Sequence, residues 1–193
     1  MTLYEVQTLQ ALERKEYADL VNAPTPWSAS MRTSFRNFER QPTEVVADYG
    51  VGNGGKLSIV RLVSKTPIEQ HNNFGKTVES LFQKLQTGET CAVRLRVGRT
   101  VSGGPQALAN VRPPVIGHEY LWVVESVDVS PREFKAQFLS ACQTAGLVHD
   151  ENDATYFGYF EFLSEVDHKA VQSGDRPSPR MDLMKNFTDV GGE

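Results

Sequence analysis

The sequence predicts an α+β protein centred on a ferredoxin-like split βαβ (βαββαβ) antiparallel sheet, with an extra N-terminal strand and N-terminal helices. Three observations predict it. Cys91, Val93, Leu95 and Val97 alternate with Ala92, Arg94, Arg96 and Gly98, the period of a half-buried strand. His118–Val127 carries the aromatic and β-branched residues of a central strand. A helical pattern flanks this pair on each side, and beyond each helix lies a further strand. From Leu57 to Leu163 the order is therefore strand, helix, strand, strand, helix, strand.

Taken from the start, Leu3, Val6, Leu9, Leu12, Tyr17, Leu20 and Val21 are spaced for an amphipathic helix over Thr2–Val21, with Thr2 as its cap. Pro24 and Pro26 end it. A second helix is expected from about Ser28 to Arg40. Along it Arg32, Arg36 and Arg40 recur at i, i+4 and i+8 as one basic stripe, and Met31, Phe35 and Phe38 as an apolar one.

Thr43–Tyr49 and Lys56–Ser64 read as two strands joined by a glycine turn, for which Asn53-Gly54 is a strong signal. Gly50, Gly55 and Lys56 also come close to the phosphate-loop pattern. Leu57 stands where that pattern needs a hydroxyl, and the following residues are strand-like where a helix N-terminus is required, so nucleotide binding is not expected.

Asn72–Gln86 places Phe74, Val78, Leu81, Phe82 and Leu85 on one helical face, with Gly88 as the stop. After the strand Cys91–Val97 comes a glycine- and proline-rich insert over 98–117, read as a flexible basic loop or arm carrying Arg99 and Arg112. Ser130-Pro131-Arg132-Glu133 supplies a cap, a first-turn proline and a capping-box acid to the helix Pro131–Ala145, whose core face holds Phe134, Phe138, Leu139 and Cys142. The last strand is Thr155–Leu163. The expected organisation is a helical segment over 1–42, an α+β core over 43–163 and a polar tail or arm over 164–193.

A chain of 193 residues, 39% hydrophobic and 23% charged, has the composition of a folded globular protein. It has no apolar run of membrane-spanning length and no signal-like N-terminus, so the expectation is a cytoplasmic protein, or a virion component if viral, without a membrane partner. The net charge is −4, but the charges are sorted. Basic against acidic residues number 5 to 7 over Met1–Gly54, 9 to 3 over Gly55–Pro114, and 6 to 14 over Val115–Glu193. That sorting points to an anionic partner surface or to charge-matched contacts between copies.

No catalytic or metal constellation emerges, and no cofactor is expected. His149, Asp150, Glu151 and Asp153 crowd one loop without zinc or calcium spacing and read as an acidic turn. Cys142 with His71 or His118 has no spacing that would pair nucleophile and base, and both Cys91 and Cys142 read as buried free thiols. The candidate binding residues are Arg94, Arg96, Arg99, Arg112, Tyr120 and Trp122, with Arg32, Arg36 and Arg40 as a separate stripe. If Arg94 and Arg96 share a sheet face with Tyr120, Trp122, Phe157 and Tyr159, that face could stack bases of RNA or single-stranded DNA. The competing expectation is that these aromatics belong to the core. The sequence thus favours a non-enzymatic subunit of a larger assembly, of virion, phage-tail or ribonucleoprotein type, that forms a homo-oligomer or joins a complex through its arms and basic insert. A single-stranded nucleic-acid or RNA-binding module is the alternative.

Overall fold

The computed structural model describes residues 3–34, 40–101, 115–147 and 154–163. The chain divides into two compact units, one holding the sheet and its helices and the other two short N-terminal helices.

In the sheet unit, β1 (Thr43–Gly50), β2 (Lys56–Ser64), β3 (Ala92–Thr100), β4 (His118–Ser126) and β5 (Ala154–Glu161) form one antiparallel sheet in the order β1-β3-β4-β2-β5. The α+β class and the five-stranded antiparallel sheet are as the sequence predicts. The order differs from a bare four-stranded split βαβ sheet, because β1 lies outside β3. Helices α3 (Phe74–Thr87) and α4 (Pro131–Thr144) pack on one sheet face. The residues the 3.6 period selects are buried: Phe74, Val78, Leu81, Phe82 and Leu85 on α3, and Phe134, Phe138, Leu139 and Cys142 on α4, where Ala141 is buried as well. The capping box at Ser130 and Glu133 is closed in both directions, which fixes where α4 begins.

The glycine segment after β1 is not the hairpin turn the sequence suggests. β1 pairs with β3, and β2 pairs with β4 and β5, so the segment carries the chain across the end of the sheet. Gly54 lies so close to β4 that a Cβ there would sit 2.4 Å from the Ser126 carbonyl oxygen. A backbone crossing this tight needs glycine, and the Asn-Gly pair serves the crossing instead of a reversal. β3 also differs from its expected phase. A bulge between Ala92 and Arg94 puts Ala92, not Cys91, on the core side, and the strand continues to Thr100, taking Gly98 and Arg99 out of the expected insert. Cys91 adopts a left-handed φ of 46° and is exposed, so only Cys142 is a buried thiol.

In the second unit, a 3-10 turn at Leu9–Leu12 precedes α1 (Lys15–Asn22), and α2 spans Pro26–Arg32. The single long helix over Thr2–Val21 does not form. Leu3, Tyr4 and Val6, the first apolar positions of that pattern, are exposed, and a helical turn whose apolar residues pack on nothing is marginal in water. α2 starts where its proline and Thr25 cap dictate, but ends at Arg32. Arg32 is the last residue of α2, Arg40 lies in no helix, and Arg36, the middle member of the expected i, i+4, i+8 stripe, is outside the described residues.

Candidate functional site

Strand register decides what each sheet face can do, because residues directly opposite in an antiparallel pair project to the same side. Val97 opposes Trp122 and Leu95 opposes Val124, while Arg96 opposes Val123 and Arg94 opposes Glu125. Tyr120 and Trp122 therefore face the helices, and Arg94 and Arg96 face away from them. Both aromatics are fully buried. Trp122 meets the ring of Phe138 edge-on at 5.7 Å, and the Tyr120 hydroxyl donates to Glu69 and accepts from the Ile68 amide at 3.1 Å. Burial, reinforced by the Glu69 carboxylate, pushes the Tyr120 hydroxyl well above its ordinary range. The expected face of aromatics among arginines is not assembled: these aromatics are core, covered by α3 and α4.

The arginines lie in a belt of ion pairs. Arg94 makes a two-pronged contact with Asp48, with Nε 3.0 Å from Oδ1 and Nη2 2.8 Å from Oδ2. Arg96 Nη2 donates to Glu125 Oε1 at 2.7 Å, and the other oxygen of Glu125 accepts from the Gly54 amide at 3.2 Å. Arg61, on β2, lies 3.5 Å from Glu119 and stacks over Tyr156 at 5.1 Å. Gln41 ties this corner together, donating to Glu119 at 3.0 Å and to Thr100 at 2.9 Å. Around the end of β3, Arg99 reaches Glu44 at 2.5 Å and Glu69 at 2.7 Å. Burial raises the pKa of Glu69, but hydrogen bonds from Tyr120, its own backbone and Arg99 outweigh that and hold it below the ordinary carboxylate value.

Part of the sorted charge of the sequence is matched here. Every arginine of β2 and β3 meets a carboxylate, and all but Glu69 of those carboxylates come from the acidic flanking segments: Glu44 and Asp48 on β1, Glu119 and Glu125 on β4. The charge matching runs between strands of one chain. The partners Glu119 and Glu125 were missed from sequence, though a signal existed. Two glutamates in the otherwise apolar run of β4 require buried partners.

The remaining candidates separate. Arg32 ends α2, Arg40 stacks on Tyr17 at 5.2 Å, and Arg36 and Arg112 fall outside the described residues. So does the acidic loop His149–Asp153. Lys56 opens β2 and pairs with Glu161 at 2.7 Å, in a strand and not at a helix N-terminus. Cys142 is sealed in the core, where burial pushes its thiol far up, and His71 is hydrogen-bonded instead to Thr66 at 3.1 Å. Among the described residues no group of three His, Cys, Asp or Glu side chains could hold a metal, and no helix is long and apolar enough to cross a membrane.

What the sheet unit leaves open is its ends and edges. At one end Val127 and Phe162 flank Gly55, 63% and 44% exposed, and the Phe162 amide donates to the Gly55 carbonyl at 3.0 Å. Val51, at the same end after β1, is 87% exposed. No protein-family model, curated protein or solved structure matches this chain.

Proposed function

We propose that the protein is a non-enzymatic subunit of a larger assembly, of the virion, phage-tail or ribonucleoprotein kind, acting through protein–protein contacts of its edges, arms and insert. The observation that carries this reading is the exposed apolar end of the sheet, Val51, Val127 and Phe162, on a body whose charged face is already satisfied internally. Apolar side chains exposed at the end of a rigid sheet suit contact with another protein. The ferredoxin-like split βαβ topology belongs to the same reading, and the adjacency of β3, β4, β2 and β5 with both helices on one face supports it. Homo-oligomerisation and a cytoplasmic or virion location go with it.

The nucleic-acid alternative has lost the base-stacking face it needed. Arg94, Arg96 and Arg99 would have to leave carboxylates to meet phosphates, at a cost in desolvation and lost pairing. The experiment is the mass of the native particle by sedimentation, with and without single-stranded RNA and DNA. A species larger than the 21.5 kDa chain that ignores nucleic acid is expected. A monomer that gains mass only with nucleic acid, in a salt-dependent manner, overturns the proposal in favour of the alternative.

A further inference from the structure

We propose that the outer edge of β5 is a self-association strand, pairing antiparallel with β5 of a second copy about Gly158. The inference rests on the assembly reading and names one surface for it.

β5 is the last strand of the sheet, and its outer backbone groups have no partner among the described residues. Unpaired edges invite another strand, so proteins commonly blunt them with charge, bulges or proline. The opposite edge is blunted. β1 carries Glu44 and Asp48, both tied to arginines, and has a bulge between Val45 and Ala47. β5 carries no charge or proline from Thr155 to Phe160, and its own bulge, at Thr155, lies just outside the aromatic run Tyr156–Phe160. Tyr156 is 41% exposed there.

The partner is identified by symmetry in the sequence. Tyr156-Phe157-Gly158-Tyr159-Phe160 is a near-palindrome of aromatics about glycine. A twofold axis at Gly158 sets Phe157 against Tyr159 and Tyr156 against Phe160, each pair occurring twice. The hydrogen bonding agrees. The Phe162 amide points inward to Gly55, so the antiparallel alternation turns Phe160, Gly158 and Tyr156 inward and Glu161, Tyr159 and Phe157 outward. Phe157 and Tyr159 then become the hydrogen-bonded pairs on either side of the axis, with Gly158 facing Gly158 at a closer-spaced position that has no side chain to clash.

The side chains fit as well. Phe157 and Tyr159 already pack against the helix-side core, so pairing would continue that core across the axis. On the other face a Cβ at Gly158 would lie 2.7 Å from the Tyr156 hydroxyl and 2.8 Å from the Phe160 ring. Those two rings fold over the glycine backbone and would stand as a row of four across the axis. No charge lies between Thr155 and Phe160, and Glu161, at the end of the paired segment, is matched by Lys56 at 2.7 Å.

The test is the dimerisation constant of the full chain and two edge variants, with far-ultraviolet circular dichroism and melting as controls for folding. Glu161→Pro removes an outward-pointing amide and leaves the inward ladder to β2 untouched. Tyr156→Glu places a charge beside the axis in each copy, next to Arg61. Each variant is expected to fold like the parent and to dimerise at least about tenfold more weakly. Folded variants that associate as tightly as the parent overturn the β5 inference and leave the assembly reading standing. A parent chain that never self-associates also overturns it, while assembly with a different protein would still show in the native-particle mass.

Discussion

The two faces of the sheet are both largely buried, by different chemistry. On the helix side, Val60, Leu95, Val97, Trp122 and Val124 meet the apolar faces of α3 and α4, and any apolar side chain of suitable volume would bury comparable area. On the far side, Arg61, Arg96, Glu119 and Glu125 are each less than one-fifth exposed at the side chain, and each depends on a particular partner. A non-directional force holds the first face. The second also buries Ile59 and Val123, but its charged residues are held by geometry, and there the loss of one partner costs more than the pair contributes.

The largest effect expected is on the helix side. Phe138 is fully buried between Trp122, Phe134 and Phe157, so Phe138→Ala should lower unfolding free energy by about 3–5 kcal/mol in denaturant titration. An unchanged denaturation midpoint would mean that this face is not the core.

The far side should respond differently to single and double changes. Arg96→Ala leaves the Glu125 carboxylate, 7% exposed, without its guanidinium and should cost about 3 kcal/mol. Replacing both, Arg96→Met with Glu125→Leu, should recover part of that loss, the Gly54 amide being left without its acceptor. Additive losses in the double variant would erase the distinction between the faces.

The smallest effect is a dependence on acid. Glu69 titrates below its ordinary value of 4.5 in the folded protein, so its contribution is complete above about pH 4.5. It is lost as pH falls through the lowered folded value. Melting temperatures of the parent and Glu69→Gln should therefore differ most near neutrality and converge on acidification. A gap that widens toward low pH would contradict the Tyr120–Glu69–Arg99 arrangement.

The same contrast explains what was legible in the sequence. Helix phases, the α4 capping box and the aromatic and β-branched content of β4 are local signals, and α3, α4, β2 and β4 lie where they put them. Tyr120 and Trp122 stood among the candidate binding residues, with the core as the competing expectation, and they are buried beneath α3 and α4. The far face was not legible, because Arg94 finds Asp48 and Arg96 finds Glu125 only once β1, β3 and β4 are in register. A single bulge after Ala92 was enough to reverse the expected side of Cys91. The Asn53-Gly54 signal was real as a demand for glycine, but its cause was the approach to Ser126 and not a hairpin.

The strand order also sets a timetable for the chain as it is made. β1 waits for β3, and β2 waits for β4 and then for β5; Lys56 and its partner Glu161 are 105 residues apart. Of the neighbouring strands, only β3 and β4 follow one another in sequence, so most of the sheet must close long loops before any pairing compensates for them. Until β4 emerges from the ribosome, Leu57-Ser-Ile-Val-Arg-Leu-Val63 is an apolar strand with neither neighbour in place. A nascent chain halted after α3 should for that reason be the form most in need of a chaperone.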